Sequence, residues 1–466
     1  MRVALILEGT YPYVRGGVSS WAHQLIRHMQ DVEFFLFTIS PEEPGETAYE
    51  LPPNVVGMEN VNLATVSPGS AARINRESVD ALITFLQCLE EESEEPCDQA
   101  ILREVRRSEY SLEALTRNDD FWDYLVSAHL RKNPFYPFGE YYWNWLNAHA
   151  TILRILKVAA PEADLYHSLS TGYAGLVTSL FSAENGTPFL LTEHGIYHRE
   201  RYFEIDATPA LRGQQRDEWI QMFMGLSRLV YQNATEIVTL FYANQRSEIA
   251  LGAPEHRCRV IPNGVEYEQY ASIPRKPREG QHIALIGRVV PIKDTKTFIA
   301  ACRTVSDDFP DAHFYCVGPL EEDPQYVEEC RALTRSFGLE ERMHFTGNQD
   351  VREYYAFLDL LVLTSISEAQ PLVILEGFAA GIPCVATKVG DVPSLLDHDD
   401  RFIAVPKDAP GIARRIAYVL REREEVARWL ERRREAVNRY YSRGAVFDRY
   451  RELYGDLVST TVEGRR

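Results

Sequence analysis

The chain has 466 residues, 45% of them hydrophobic and 25% charged, and a formal net charge of −19. Nucleic acid and anionic membranes are themselves polyanions, so this charge excludes a general surface for either; a local basic pocket for a phosphate stays compatible with it. The length exceeds what one ordinary core supports, so about two or three domains are expected.

Residues 2–7 (RVALIL) form a short apolar run that reads as a buried parallel strand. The run ends at Glu8 after only about five apolar residues, which suits a strand and not a signal peptide. A loop through Gly16 and Gly17 follows. A helix is then expected from about Ser19, with serine as its N-cap and Trp21, Leu25, Ile26 and Met29 at helical spacing. Residues 33–39 (EFFLFTI) read as a second strand, so the opening is β–loop–α–β, the start of an α/β domain with a parallel sheet.

Residues 41–150 break this rhythm and read as a helical insertion. Its acidic run, 90–95, reads as a solvated loop or helix end. Its aromatics (Phe121, Trp122, Tyr124 and those in 135–145) read as packing onto the domain in preference to a carbohydrate platform. Strands resume at 164–168, 188–192 and 236–240, followed by the polar clusters His167-Ser168, Glu193-His194-Gly195 and 241–245. Residues 258–265 (CRVIPNGV) read as a last strand and turn, and the Pro-rich, charged 271–281 as a linker. A second α/β series is expected with strands at 282–286, 313–317, 342–345, 360–364, 383–386 and 402–405, and helices such as 295–305 and 326–337 between them. A charged helix over 412–434 and an amphipathic one over 440–457, able to pack on either domain, complete the chain. In open parallel sheets, ligands bind at the carboxyl ends of strands, where the polar clusters fall.

The stretch 366–393, ISEAQPLVILEGFAAGIPCVATKVGDVP, holds two carboxylates, Glu368 and Glu376, eight positions apart. Pro371 suits the first helical position and Gly381 the left-handed position just past the end, so Glu368 is expected in a loop and Glu376 inside a helix. That helix is apolar on nearly every face and should be buried, where a charged Glu is costly without a partner. Its N-terminus, near Gln370 to Val373, offers N–H groups and a positive dipole end to phosphate or sugar hydroxyls. Taken alone, a core helix with one partnered Glu and one loop Glu explains the stretch equally well.

Gly16-Gly17 between a strand and a helix would let a phosphate approach the backbone, although a tight turn is as good a reading and VRGGVSS is not a dinucleotide fingerprint. Arg288 and Lys293, five positions apart after the second series' first strand, suit a diphosphate: Arg as a fork, Lys as a point charge. Solvated surface cations are the alternative, and the strand-end position favours the diphosphate. His194 could donate a hydrogen bond or move a proton; a lone histidine is more often structural. His167 is the weaker candidate of the two. No HExxH, Cys/His set or GxSxG occurs, and no Asp-x-Asp cluster stands in a plausible loop, so neither metal nor serine-nucleophile chemistry is expected. Seven dispersed cysteines without a CxxC pair suggest reduced thiols and a cytoplasmic address. No uncharged run reaches the roughly 20 residues that span a bilayer.

Together, Gly16-Gly17, Glu193-His194-Gly195, Pro262-Asn263-Gly264-Val265, Gly287-Arg288 with Lys293-Asp294, and Glu368-x7-Glu376 resemble a retaining glycosyltransferase of family GT4. The resemblance implies an α/β chain of GT-B architecture, two Rossmann-like domains facing across a cleft, with the helical insertion in the N-terminal one. It implies an acceptor-side domain over 1–274, a nucleotide-sugar domain over 275–439, and a C-terminal helix, 440–466, crossing back to the first domain. Through EGTYPYVRGGVSSW, the insertion and LTEHGIYHRER, the N-terminal part resembles the PelF subgroup, cytoplasmic enzymes of Pel exopolysaccharide assembly.

The resemblance also implies roles. Arg288 and Lys293 would hold the donor diphosphate and stabilise the leaving group in place of a metal. Glu376 would bind the ribose hydroxyls, supplying the partner that a buried Glu lacks. Glu368 would contact the donor sugar, and Ala369 and the backbone N–H groups of Gln370, Pro371 and Leu372 are placed in the same donor-binding loop, proline there contributing position only. Gly16 and Gly17 would let the N-terminal loop approach the phosphates, Asn348 would lie by the base, and His194 by the sugar's 6-hydroxyl or the reaction centre. The implied reaction is metal-independent, cofactor-free transfer from a UDP-sugar (UDP-glucose or UDP-N-acetylglucosamine) to a polysaccharide acceptor, with charge developing on the leaving diphosphate. Recruitment to the inner face of the plasma membrane by subunits of a membrane-bound synthase complex is left open. Many relatives carry Gly-Phe or Gly-Leu where this chain has Ala369-Gln370, which places an extra amide near the sugar. A UDP-sugar 2-epimerase and a non-catalytic nucleotide-sugar-binding subunit are the alternatives on the same architecture.

Overall fold

The structure is a computed structural model, described here over residues 1–90, 97–132 and 134–464. The acidic run expected to be solvated falls outside the described residues apart from the backbone of Glu90. The chain divides into two compact units, Met1–Ile261 with the chain from Arg449 onward, and Pro262–Asp448.

Among the described residues the first unit carries seven strands: β1 (Arg2–Glu8), β2 (Glu33–Ser40), β3 (Val55–Asn62), β4 (Leu165–Ser168), β5 (Phe189–Glu193), β6 (Glu236–Thr239) and β7 (Cys258–Val260). All pair in parallel in the order β3-β2-β1-β4-β5-β6-β7. The apolar runs of β1 and β2 explain their central place, with Val3 to Leu7 fully buried. β3 departs from the expected all-helical insertion. It is an edge strand, largely half-buried, whose apolar residues are interrupted by Gly57, Glu59, Asn60 and Asn62, and its Asn60 side chain accepts from the Thr38 hydroxyl at 2.8 Å. The first helix also departs from expectation. It runs Gly17–His28 with Gly16 as N-cap, and Ser19 is a buried residue inside it, because the Ser20 N–H already closes on the Gly16 carbonyl at 2.9 Å.

Among the described residues the insertion proper is five helices between Arg76 and Ile155. Most of its aromatics pack. Phe121, Tyr141 and Trp145 are buried, and Trp122 stacks on Tyr142 at 5.1 Å. Phe135 and Trp143 are largely exposed, Trp143 setting its ring edgewise to Tyr142 at 5.2 Å. Arg106 fastens the insertion to the sheet's helix Tyr173–Asn185, pairing with Glu184 at 2.5 Å and donating to the Leu156 and Val158 carbonyls at 2.8 Å. From Arg449 the chain is again part of this unit, where Tyr450 and Tyr454 are fully buried.

The second unit carries β8 (Gln281–Ile286), β9 (Ala312–Val317), β10 (Met343–Gly347), β11 (Leu360–Leu363), β12 (Cys384–Thr387) and β13 (Ile403–Ala404), parallel in the order β10-β9-β8-β11-β12-β13. Residues 271–281 lie on this unit: the Lys276 N–H donates to Ala356 O at 2.7 Å and the Arg278 guanidinium stands 3.6 Å over the Phe357 ring. Both sheets have the Rossmann-like strand order, in which growth reverses beside the first strand, between β1 and β4 and between β8 and β11. In sheets of this order, ligands bind outside the carboxyl ends of the strands at that reversal.

Candidate functional site

In the second unit the reversal lies between the loop after β8, holding Gly287 to Asp294, and the loop after β11, holding Thr364 to Pro371. The two are fastened together at their roots. The Thr364 hydroxyl, fully buried, donates to the Lys293 carbonyl at 2.8 Å and also lies 3.0 Å from the Asp294 carbonyl; the Ile366 N–H donates to Ile292 O at 2.8 Å. This brings Lys293 Nζ onto Glu368 Oε1 as an ion pair, across 75 positions of sequence. The Ser365 hydroxyl donates to the same oxygen at 2.6 Å. The pair is neither dry nor free in solvent, the side chains being 19% and 12% exposed.

The helix after this loop is Leu372–Ala379; Pro371, expected as its first residue, is its N-cap, so the helix begins one residue later. Gly381 follows at φ +76; its N–H donates to Phe378 O at 3.0 Å and that of Ile382 to Gly377 O at 2.8 Å, which closes the helix end. Glu376 lies inside, and the protein itself supplies partners. The Tyr355 hydroxyl donates to Oε2 at 3.2 Å, and Tyr270 donates as well. Burial pushes the carboxyl up despite these two donors. The expected lone Glu is therefore a partnered one, and its reach for ribose hydroxyls does not follow from any want of a partner.

Other candidates are placed less tightly. Arg288 is half exposed and pairs with Glu322 at 2.8 Å, on the loop after β9. Asn348 is exposed after β10, the edge strand on the far side of β9. Gln370, by contrast, is buried, and its amide is bonded at both ends, to the Asn263 N–H and to Asp391. Ala369 accepts from the Asp391 N–H at 2.9 Å. Burial pushes Asp391 up to about 6, against hydrogen bonds from Ser394 and Gln370. Sequence reasoning missed Thr364, Ser365 and Asp391, whose only signal was a place at a strand's carboxyl end.

In the first unit a cavity of 350 Å³ opens beside the ends of β1, β4 and β5, lined among others by Glu8, Ser170, His194, Tyr197, Glu200 and Arg201. His194 sets its ring edgewise to Trp21 at 4.7 Å, and its Nε2 is buried with no hydrogen-bond partner among the described residues. Burial lowers it to about 4, so the ring is neutral at pH 7. Glu8 accepts from the Tyr197 hydroxyl at 2.9 Å and from the Ala174 N–H at 3.2 Å, at the head of helix Tyr173–Asn185. His167, the other strand-end histidine, is a core residue: Nδ1 pairs with the Tyr454 hydroxyl at 2.7 Å and Nε2 with the Thr192 hydroxyl at 2.8 Å. Gly16 and Gly17 are exposed at the head of the first helix. Neither has a positive φ, and an added Cβ would meet nothing within 4 Å, so only something approaching from outside would feel their lack of a side chain.

Two parallel Rossmann-like α/β units of this kind make up the fold of GT-B glycosyltransferase structures. The chain aligns over 98% of its length with the whole of the Anabaena protein HepE, solved in complex with UDP, at a TM-score of 0.59 and 15% identity, a likeness of fold. Residues 1–256, more than half of the chain, match the family described as domain of unknown function DUF3492, and the chain belongs to that family. Residues 280–422 match the glycosyl transferases group 1 family. Among curated relatives, an N-acetyl-alpha-D-glucosaminyl L-malate synthase of Bacillus anthracis is 32% identical over 186 residues, 40% of this chain and 47% of that one. An exopolysaccharide phosphotransferase of Streptomyces coelicolor is 28% identical over 261 residues, 54% of this chain and 27% of that one. The chain thus spans half or less of the length of these two relatives.

Proposed function

We propose that this chain is a retaining, metal-independent hexosyltransferase that moves a sugar from UDP-glucose or UDP-N-acetylglucosamine to a growing exopolysaccharide, namely Pel. The observation that carries the reading is Lys293 held on Glu368 directly before the head of helix Leu372–Ala379. A fixed ammonium and a helix N-terminus at this reversal suit a leaving diphosphate, whose charge grows as the sugar departs. In this reading the diphosphate takes Lys293 from Glu368, Arg288 leaves Glu322 to join it, and Glu368 is released to the sugar hydroxyls. Leu372 and its neighbours offer backbone N–H groups, and Glu376 adds ribose hydroxyls to its two tyrosines. The positive charge that a metal would bring comes from Arg288 and Lys293. In the first unit the neutral His194, with its unpartnered Nε2, suits a saccharide hydroxyl, and Gly16-Gly17 admit an anion to the first helix's head. Support for UDP comes from the HepE complex. Pel rests on the resemblance of about the first 270 residues to the PelF subgroup. Seven free thiols fit a cytoplasmic protein, with synthase-complex subunits as its proposed route to a membrane.

Calorimetric titration of the full chain with UDP, GDP and ADP is expected to show preference for UDP; preference for another base would overturn the donor assignment. Lys293→Ala and Glu376→Ala are each expected to lower transfer about 100-fold or more while the fold persists. Undiminished transfer in both would sink the proposal. A free epimerised UDP-sugar formed without acceptor would point to an epimerase, and UDP binding without any turnover to a binding subunit.

A further inference from the structure

The loop Glu368 to Pro371 has little regular backbone bonding to hold it, yet it must present Glu368 to Lys293 and lead into the helix at a fixed angle. What holds it is the Gln370 side chain. Gln370 is 8% exposed; its Oε1 accepts the Asn263 N–H at 2.8 Å, and its Nε2 donates to Asp391 Oδ2 at 3.1 Å. Asp391 answers with its own N–H, donated to Ala369 O at 2.9 Å. Beside it, Gly390 lies so close under the loop that a Cβ would stand 2.1 Å from Glu368 O and 2.4 Å from Ala369 O. Asn263, 107 positions away, and Asp391, 21 positions away, thus converge on one amide. Turning that amide towards a ligand would strand the Asn263 N–H and the buried Asp391 carboxylate, and buried polar groups left unpaired are strongly disfavoured.

We propose that Gln370 is a positioning residue: its amide ties the Glu368–Pro371 loop to Asn263 and Asp391, setting Glu368 on Lys293 and aiming the helix head at the ligand, and it does not read the donor sugar. This rests on the glycosyltransferase reading of the same site. It reverses what the sequence suggests, where an amide in place of an apolar residue beside the sugar looks like a donor-specificity element.

The test compares affinity for UDP, which has no sugar, with affinity for UDP-glucose and UDP-N-acetylglucosamine, by calorimetry on the full chain. A loop strut predicts that Gln370→Leu weakens UDP and the preferred UDP-sugar by the same factor, about tenfold, while a thermal scan shows the fold intact. Asp391→Ala should copy that loss, and the double variant should be no worse than either single one, since both cut one network. Asp391→Asn, which keeps an accepting oxygen, should bind close to wild type. If Gln370→Leu does not fold, the Asp391→Ala and Asp391→Asn pair reads the same network. A loss confined to UDP-sugars, an altered preference between the two sugars, additive losses, or no loss would each overturn the inference. A wild-type chain that binds neither UDP nor UDP-sugar would instead overturn the glycosyltransferase reading, and this inference with it.

Discussion

Two carboxyl groups buried together in the first unit illustrate what a single residue can reveal. Burial pushes both Glu193 and Glu248 above the usual 4.5; for Glu248 the neighbouring Glu193 carboxyl adds to the shift. Glu193 retains donors, from the Tyr231 hydroxyl at 2.6 Å and the Tyr197 N–H at 2.9 Å. An acid whose folded pKa is raised binds more protons folded than unfolded, so stability falls as pH rises above 4.5 towards the folded value, and the cost persists beyond it. Glu248→Gln, which mimics the protonated form, should therefore raise the melting temperature at pH 8 by a few degrees, roughly 2–4 °C per kcal/mol, with the gain shrinking towards pH 5. A pH-independent effect in thermal scans would count against the buried pair. Residue-scale reasoning also shows where sequence is blind. His167 and His194 both stand at strand ends, and only their surroundings separate a histidine bonded on both nitrogens from one with a buried, unpartnered Nε2.

At the scale of elements, the helix Leu372–Ala379 was legible because its signals are local: a proline at its start and a glycine past its end act through their own φ angles. Strand β3 was not legible. An edge strand needs no continuous apolar run, and the VVGMENVN segment, interrupted by Gly57, Glu59, Asn60 and Asn62, is a strand because β2 offers it a ladder. Two glycines near the helix should behave differently when substituted. Gly381→Ala places a side chain at φ +76 in open space, so about 1–2 kcal/mol of stability should be lost in denaturant titrations, with UDP affinity unchanged. Gly390→Ala meets backbone at 2.1 Å and φ +51, so the Glu368 loop must move, and UDP affinity should fall as well as stability. Equal binding by both variants would mean that the loop tolerates displacement.

For the molecule as a whole, a ligand bound by the native state alone at 100 times its Kd stabilises by about 2.7 kcal/mol, and protects what it touches from hydrogen exchange. Saturating UDP should slow exchange in residues 287–294 and 364–380, on both sides of the β8–β11 reversal. Protection confined to other segments would remove the donor site from this reversal. Among the described residues no helix is long and apolar enough to cross a membrane. Two α/β units could be anticipated from the chain itself, because buried parallel strands and their capped helices leave short-range patterns in composition and spacing. Candidate cations and carboxylates could be found too, because they stand at strand ends. Sequence could not assign their partners. That Lys293 meets Glu368, that Glu376 already has Tyr355 and Tyr270, and that the Gln370 amide is taken up by Asn263 and Asp391 are contacts between segments distant along the chain. Only the folded chain brings those segments together. Local pattern therefore specified the elements, and tertiary structure decided which charges and amides are bound by the protein and which remain for a ligand.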